Sequence, residues 1–181
     1  NYDGNGDGIW DYWQPNVATL PDAGTSWVTA EVVGSCGSFT EVAVINEAST
    51  GTLDPDNDYP AGLVKMEFAC ATAEVRVFFH GLPVPDPLAS AAPYRKFGPT
   101  SAISGDKWYD FGPDAGGTGI GGYPITGQIQ GQTTMGYRLL LEDGKLGDAP
   151  FDGTPDGKIV DPGGPTGTLL AVPSLNQWGI G

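Results

Sequence analysis

The chain has 181 residues, of which 39% are hydrophobic, so it is long enough to bury the core of one domain. Its 29 glycines and 16 prolines predict many turns and little helix. The formal net charge of −14 argues against nucleic acid and anionic membranes as partners, because both are themselves negatively charged.

The acidic residues are unevenly distributed along the chain. Of the 22 acids 16 are aspartates, and 11 of these lie in three Gly- and Pro-rich segments, residues 3–11, 54–58 and 143–161. Packing like charges together costs free energy unless a cation offsets the repulsion. The clustering therefore predicts one to three bound Ca²⁺ ions.

The first of these segments matches a Ca²⁺-binding loop. Residues 3–11 read Asp-Gly-Asn-Gly-Asp-Gly-Ile-Trp-Asp, which fits the pattern D-x-N-x-D-G, with oxygen ligands at alternating positions. At the twelfth position an EF-hand has a bidentate Glu, whereas this chain has Gln14. The alternative interpretation is a Gly/Asp turn without an ion. The candidate ligands are the side chains of Asp3, Asn5, Asp7 and Asp11 and the carbonyl of Ile9.

Short segments of alternating hydrophobicity predict β-strands along the rest of the chain. They are residues 26–33, 39–45, 63–69, 74–80, 107–111, 125–129 and 135–141. We expect the third and fourth to form a hairpin with residues 70–73 as its loop, and residues 16–23 to be a connector. The predicted fold is an all-β antiparallel sandwich with long Gly/Pro/Asp-rich calcium-binding loops.

Three regions are expected along this fold: a calcium-binding loop at residues 1–14, the sandwich at 15–167, and a C-terminal tail at 168–181. The chain opens at Asn1 without an initiator Met, as in a mature secreted protein. No apolar run approaches the roughly 20 residues that a membrane span needs.

Two cysteines, Cys36 and Cys70, follow two different predicted strands. In an oxidising compartment they would form one disulfide, worth about 3–4 kcal/mol in the chain-entropy model. Two free buried thiols are the alternative. Zinc is not expected, because the chain offers only these thiols and the single histidine His80.

The two remaining acidic segments are weaker metal candidates. The segment 143–161 suits one or two Ca²⁺ ions, or else a solvated, turn-rich loop, and its candidate ligands are Asp143, Asp148, Asp152, Asp156 and Asp161. The segment 54–58 could chelate an ion, although its residue types also form plain turns, and its candidates are Asp54, Asp56 and Asp58.

No arrangement of residues typical of an enzyme stands out, and we do not expect this protein to be an enzyme. His80 is the only histidine, no Gly-x-Ser-x-Gly elbow is present, and the Gly-rich segment 116–122 lacks the Lys-Ser/Thr of a phosphate loop. Several aromatic residues could stack on sugars, although such residues also fill the cores of β-proteins. They are Trp10, Trp13, Trp27, Trp108 and Tyr109.

Four motifs occur in a characteristic order: residues 3–9 running into 14–21, then 59–64, then 94–99 before 108–111, and finally 141–165. Together they resemble bacterial exported proteins that share the domain called choice-of-anchor U. The first loop is also similar to the calcium loops of thrombospondin type 3 and dockerin repeats. The resemblance covers most of residues 3–165 and implies export and display at the bacterial cell surface, without implying a ligand or a reaction.

The tail carries a separate motif. Residues 172–179, Val-Pro-Ser-Leu-Asn-Gln-Trp-Gly, are similar to the Ile-Pro-Thr-Leu-x-x-Trp sorting signal of Gram-negative envelopes. In that family an apolar span and a basic cluster follow, whereas this chain stops at Gly181. We expect that such an anchor was removed or that it lies beyond Gly181.

These observations favour a secreted, calcium-stabilised structural protein of the bacterial surface that self-assembles into an extracellular filament or layer. The apolar segment 168–172 near the terminus suits addition to a neighbour's sheet edge. The alternative is a calcium-dependent adhesin module that binds a carbohydrate or a surface through exposed aromatic residues. A hydrolase ranks third, because it needs two carboxylates converging in one metal-free cleft. The expected partners are other copies of the chain or a surface glycan.

Overall fold

The computed structural model describes residues 2–167, which form a β-sandwich of ten strands. The predicted tail, including the segment 168–172 and the sorting-like motif, lies outside these residues. The strands are β1 Val17–Pro21, β2 Trp27–Val33, β3 Glu41–Ile45, β4 Leu63–Phe68, β5 Thr72–Phe79, β6 Tyr94–Gly98, β7 Lys107–Asp110, β8 Gly121–Ile129, β9 Gln132–Glu142 and β10 Ile159–Pro165.

The strands form two antiparallel sheets of five. The first sheet has the order β1-β2-β5-β9-β8, and the second has the order β3-β4-β10-β6-β7. The predicted all-β antiparallel sandwich is confirmed, and each of the seven predicted strands is present, with β8 and β9 longer than predicted. Helical structure between residues 2 and 167 is limited to 3-10 turns at Asp11–Trp13, Glu47–Thr50 and Leu88–Ser90. Within this part of the chain, no helix has the length and apolar character to cross a membrane.

The core lies between the two sheets and follows the alternation of the strands. In β2, for example, Val28, Ala30 and Val32 are buried and point to the same face, because successive side chains of a strand point to opposite sides. The same periodicity in the opposing strand β4 buries Val64 and Met66. Each sheet therefore contributes every second residue to one continuous apolar layer.

The predicted hairpin between β4 and β5 is wrong. β4 pairs with β3 and β10 in the second sheet, whereas β5 pairs with β2 and β9 in the first. The connection at residues 69–71 therefore crosses the sandwich, and Thr72 and Ala73, which were assigned to the loop, already belong to β5. Alternating hydrophobicity cannot distinguish a pair within one sheet from a pair that faces across the core.

The predicted disulfide is confirmed. Cys36 is bonded to Cys70, with their Cα atoms 5.6 Å apart, and no other cysteine is present. Cys36 lies in the β2–β3 connection and Cys70 in the β4–β5 connection, both of which pass from one sheet to the other. The bond thus joins two crossovers of the sandwich.

Three strands were not predicted, namely β1, β6 and β10. Residues 16–23, interpreted as a connector, contain β1, which pairs with β2 along its whole length. β10 reads Ile-Val-Asp-Pro-Gly-Gly-Pro, a composition unfavourable for a central strand, because Pro has no N–H to donate to the ladder. The pairing is staggered, because β4 pairs with Ile159–Gly163 and β6 pairs with Gly163–Pro165. Each proline of β10 therefore has a partner strand on only one side.

Removing the disulfide tests the role of the two crossovers. We expect the double substitution Cys36→Ala/Cys70→Ala to lower the free energy of unfolding by about 2–4 kcal/mol, because the unfolded chain regains loop freedom. Urea denaturation measures this loss. A reducing agent should weaken the wild-type protein to a similar extent and leave the double variant unchanged, whereas equal stability of the two proteins would contradict the role assigned to the bond.

Candidate metal centre

The N-terminal loop wraps around the carboxylate of Asp3. Asp3 accepts hydrogen bonds from the backbone N–H of Gly6 at 2.8 Å, of Asp7 at 3.1 Å and of Gly8 at 2.9 Å. The turn requires the left-handed backbone of Gly6 (φ 75°) and Gly8 (φ 88°), a conformation that glycine adopts without steric cost. Oxygen atoms at residues 3, 5, 7 and 9 are thereby drawn into one tight loop.

Gln14 closes this loop, although it differs from the Glu that an EF-hand has at the twelfth position. Its Nε2 donates to Asp7 Oδ1 at 3.1 Å and to the Ile9 carbonyl at 3.2 Å. Asn5 Nδ2 donates to the other oxygen of Asp7 at 3.2 Å. Two side-chain amides thus point positive dipoles at oxygens that a hard cation would also bind. The amide of Gln14 lies where the twelfth-position side chain of an EF-hand reaches back to the ion.

The donor set therefore suits a calcium ion in its chemistry. Asp3, Asn5, Asp7 and the Ile9 carbonyl supply only oxygen, and rotating the Gln14 amide would add another oxygen at the same point. Across residues 2–167, however, no three His, Cys, Asp or Glu side chains are grouped so that they could hold a metal ion. A site here would depend on amide and carbonyl oxygens in addition to its two carboxylates.

Asp11, the fifth candidate ligand of this loop, has a different role. It is buried, and its carboxylate accepts from the backbone N–H of Gly4 at 2.9 Å and from the hydroxyl of Thr19 on β1. One oxygen is thus engaged within the N-terminal segment and the other with the sandwich. Asp11 therefore fixes the N-terminal segment onto the first sheet, and its role as a ligand, directly or through water, stays a prediction.

The contact continues as a chain of partly buried hydrogen bonds. Thr19 Oγ1 lies 2.8 Å from Thr29 Oγ1, and Thr29 Oγ1 lies 2.9 Å from His80 Nε2. His80 Nδ1 lies 3.1 Å from the hydroxyl of Tyr2. Because the Asp11 carboxylate can only accept, the Thr19 proton points to Asp11 and the Thr29 proton to Thr19. His80 must then donate from Nε2 to Thr29. In a neutral imidazole, the form that a lowered pKa favours, Nδ1 accepts the proton of the Tyr2 hydroxyl.

The close approach at Gly4 shows how tightly the segment is seated. A Cβ on Gly4 would lie 2.2 Å from Thr19 Oγ1 and 2.3 Å from Thr29 Oγ1, so no larger residue fits there. The loop of residues 2–14 is therefore packed on the sandwich through the series of hydrogen bonds that runs from Asp11 to Tyr2. Burial lowers the pKa of His80, and although the charges of Asp11 and Asp22 oppose this, the pKa stays below its usual value.

The second acidic segment is organised around Asp54. This buried carboxylate accepts from the Tyr59 hydroxyl at 2.8 Å and from Arg95 Nε at 2.9 Å, and also from the backbone of Asp56. Burial alone would raise the pKa of Asp54, but these hydrogen bonds and the charge of Arg95 lower it overall. Asp56 and Asp58 are exposed. The three candidates therefore do not converge, and Asp54 is satisfied by protein groups.

The third acidic segment uses its carboxylates to hold its own backbone. Asp143 accepts from the N–H of Asp156 at 3.0 Å and of Gly157 at 2.6 Å. Asp148 accepts from the N–H of Gly144 and of Val160, both at 2.9 Å. Both carboxylates are buried. Burial, opposed by these two hydrogen bonds, raises the pKa of Asp148.

The remaining three candidates of that segment point to different places. Asp152 and Asp156 are exposed, and each accepts one nearby backbone N–H, from Thr154 at 2.8 Å and from Lys158 at 2.9 Å. Asp161 lies on β10 and faces the core, where its Oδ1 is 2.8 Å from Lys96 Nζ. The structure therefore does not bring the five aspartates together, and Asp161 is not accessible to an ion bound by the loop.

Lys96 and Asp161 form a pair that sequence reasoning did not identify. Their side chains are 1% and 0% exposed, which places both inside the sandwich. Lys96 occupies an inward position of β6, two residues after the buried Tyr94. A lysine at the inward position of the pattern Tyr94-Arg95-Lys96 is the feature that could have revealed it, because β-strand periodicity would otherwise leave an unpaired charge in the core.

The candidate sugar-binding aromatics separate into two groups. Trp108 stacks on Tyr59 with ring centroids 4.9 Å apart and donates from Nε1 to a backbone carbonyl, and Tyr109 packs against the core. In contrast, Trp13 and its neighbour Tyr12 are 64% and 65% exposed. Trp10 and Trp27 are also exposed. The solvent-facing members of the predicted set therefore all lie at or before the first residue of β2.

Comparing the chain with protein-family models, with curated proteins and with solved structures gives no match.

The half-buried imidazole of His80 predicts a pH-dependent stability. Because the folded state lowers the pKa of His80, the unfolded chain binds the proton more readily. The stabilisation is complete above His's ordinary pKa of about 6.5 and is lost as pH falls through the lower folded pKa, by at most about 1.4 kcal/mol per pH unit. Urea denaturation at about pH 7.5 and about pH 5.5 measures the difference.

The control is His80→Gln, whose amide can still donate to Thr29 but does not titrate. We expect a smaller fall in the free energy of unfolding for this variant than for the wild-type protein over the same pH interval. Equal falls in both proteins would contradict the assignment of a neutral, hydrogen-bonded His80.

Proposed function

We propose that this protein is an extracellular structural β-sandwich of a bacterial cell surface, with one Ca²⁺ bound by its N-terminal loop, and that its copies assemble into a filament or layer. The observation that carries the proposal is the loop itself. Oxygen atoms of Asp3, Asn5, Asp7 and Ile9 lie in one turn that Gln14 closes, and Asp11 ties that turn to the first sheet.

Electrostatics supports a cation in this loop. Asp3 and Asp7 belong to the same short turn, and Asn5 also reaches Glu31 of β2 at 3.4 Å, so a third carboxylate borders it. No Lys or Arg forms an ion pair with Asp3 or Asp7 within the described residues. A divalent ion would offset this local negative charge.

The disulfide supports the extracellular part of the proposal. Disulfides form and persist in secreted proteins, whereas the cytosol keeps thiols reduced. Here the bond joins two connections that pass from one sheet to the other, so it is part of the architecture. The family resemblance implies the same location.

Assembly would use the free edges of the second sheet. In the part of the chain described, β1 and β8 end the first sheet, and both contain a proline, Pro21 and Pro124, that blocks strand addition. The edges of the second sheet, β3 and β7, contain no proline. An added strand from another copy would pair with β3 or β7.

Chelation tests the calcium part of the proposal. With Ca²⁺ at about one hundred times its dissociation constant, binding stabilises the folded chain by about 2.7 kcal/mol, which raises Tm by roughly 5–10 °C for a protein of this size. We expect EGTA to remove this shift in the wild-type protein. Asp7→Asn should abolish the shift, because it removes a charged ligand.

Asp152→Asn is the matched control, since Asp152 is an exposed aspartate of the other acidic segment and forms only a local turn. This variant should keep the full shift. Light scattering on the same wild-type samples tests assembly: large particles with Ca²⁺ that shrink in EGTA support it. A protein that stays monomeric at high concentration with Ca²⁺ would contradict assembly.

A carbohydrate-binding adhesin is the second candidate, and the exposed aromatic side chains favour it. The rings of Tyr12 and Trp13 lie 5.1 Å apart, next to the proposed calcium loop. Tyr12 and Trp27 also line one shallow groove. Such flat, solvent-facing rings can stack on the apolar faces of sugars, and a nearby ion would fix the loop that carries them.

A panel of defined oligosaccharides, tested with Ca²⁺ present, separates the two candidates. For an adhesin, Trp13→Ala should weaken binding to the preferred oligosaccharide more than tenfold, because removing an aromatic anchor costs more than about 1.4 kcal/mol. Leu53→Ala is the control, since Leu53 is equally exposed on a different loop. Absence of binding to every oligosaccharide would exclude the glycan-binding candidate for the tested class.

A further inference from the structure

The pair formed by Lys96 and Asp161 has no role in the proposed calcium site. Lys96 lies on β6 and Asp161 on β10, neighbouring strands in the centre of the second sheet. In the pairing register Lys96 is opposite Gly163, so Asp161 is its diagonal neighbour on the same face. The amine and the carboxylate meet inside the sandwich, with Nζ and Oδ1 2.8 Å apart.

Glycines create the space for this contact. A Cβ on Gly163 would lie 2.6 Å from the ring of Tyr94 and 3.0 Å from Cγ of Lys96, so the lysine stem crosses β10 only because residue 163 has no side chain. A Cβ on Gly147 would lie 3.1 Å from Lys96 Nζ and 2.7 Å from the ring of Phe111. The carbonyl of Gly147 accepts from Nζ at 2.9 Å.

The surroundings of this pair are buried and offer few hydrogen-bond partners. Lys96 Nζ lies 3.9 Å from the centroid of the Phe111 ring, and Tyr94 and Phe111 are fully buried. Apart from the contact with Lys96, neither carboxylate oxygen of Asp161 has a hydrogen-bond partner among the described residues, and the Tyr94 hydroxyl also has none. A buried ion pair is stable only when further hydrogen bonds satisfy its remaining lone pairs and protons. Here Lys96 has one further partner, the Gly147 carbonyl, and Asp161 has none among the described residues.

Burial favours the neutral forms of both groups. It lowers the pKa of Lys96, although the adjacent Asp161 opposes this effect, and it raises the pKa of Asp161 despite the nearby lysine. The negative charge of Asp148 further raises the pKa of Asp161. A neutral amine is a nucleophile, and a protonated carboxyl group is the form that can lose water.

We propose that the Nζ of Lys96 and the Cγ of Asp161 become joined by an intramolecular isopeptide bond, which covalently links β6 to β10. This inference is independent of calcium binding and of the cellular location.

The reaction balances without an oxidant or a co-reactant. The lone pair of the neutral Lys96 amine attacks the carbonyl carbon of the Asp161 carboxylic acid, and the new C–N bond forms a tetrahedral intermediate. One proton moves from nitrogen to the hydroxyl oxygen, the C–O bond breaks, and one water molecule leaves. Reactants held in a fixed, desolvated geometry reach effective molarities of up to about 10⁵–10⁸ M. The fold therefore accelerates the reaction by holding the amine next to the carboxyl group.

The product would also reduce the number of unsatisfied groups. The amide has one oxygen where the acid had two, and its single N–H keeps the bond to the Gly147 carbonyl. The amide oxygen is neutral, so it no longer carries the desolvation cost of a buried charge. The missing hydrogen bonds around Asp161 are thus less costly in the amide than in the ion pair.

The intact mass of the purified, folded protein tests this proposal after disulfide reduction and denaturation. We expect the wild-type mass to be lower than the sequence mass by the mass of one water molecule. Trypsin should fail to cleave after Lys96, and a branched peptide should contain both Lys96 and Asp161. A wild-type protein that folds and has the full sequence mass would overturn the proposal.

Two lysine variants assign the site. Lys96→Arg keeps the positive charge, but a guanidinium is always protonated and is not a nucleophile, so this variant should have its full sequence mass. Lys65→Arg is the matched control, because Lys65 lies 3.0 Å from both Glu41 and Glu67 at the surface, where water solvates the charges. It should retain the loss of water. Loss of water in Lys96→Arg would place the reaction elsewhere and overturn the proposal.

If Lys96→Arg does not fold, the double variant Lys96→Met/Asp161→Leu replaces both groups with apolar side chains of similar size, a change that buried pairs often tolerate. It should fold and have its full sequence mass. Loss of water in this double variant would likewise overturn the assignment.

Discussion

Hydrogen bonds from backbone N–H groups to aspartate carboxylates organise the loops on which this sandwich depends. A chain rich in Gly and Pro leaves many N–H groups outside the strand ladders, and a buried N–H without a partner destabilises the fold. Short aspartate side chains satisfy these groups within a few residues of their own position. The aspartates that accept at least one backbone N–H are Asp3, Asp7, Asp11, Asp22, Asp54, Asp114, Asp143, Asp148, Asp152 and Asp156.

This constraint changes the interpretation of the acidic clusters. Clustered charge alone suggested a metal at each one, but N–H dipoles and Arg95 offset much of that charge in the two later segments. In the N-terminal loop, carboxylates share one turn with amide and carbonyl oxygens, and the amide of Gln14 completes the arrangement. The same loop is fixed to the first sheet by Asp11, so an ion bound there would stabilise a segment that already forms part of the fold.

The sequence predicts much of this architecture because strand periodicity and turn residues act locally. The seven predicted strands and the bond between Cys36 and Cys70 are present. The β4–β5 hairpin was wrong because periodicity gives the face of a strand but not its partner. β10 was missed because its prolines are tolerated only by a staggered pairing, which is a tertiary property. The alternation of β6 could have shown that Lys96 points inward, but its pairing with Asp161 depends on that same register and so could not be predicted locally.

The number of Ca²⁺ ions bound per chain separates aspartates that hold the backbone from aspartates that hold an ion. Native mass spectrometry with Ca²⁺ in excess, supported by isothermal titration calorimetry, gives this number. We expect one ion per chain in the wild-type protein and none in Asp7→Asn. Two or three ions per chain would contradict the backbone role assigned to the later acidic segments, and none would contradict the calcium site of the N-terminal loop.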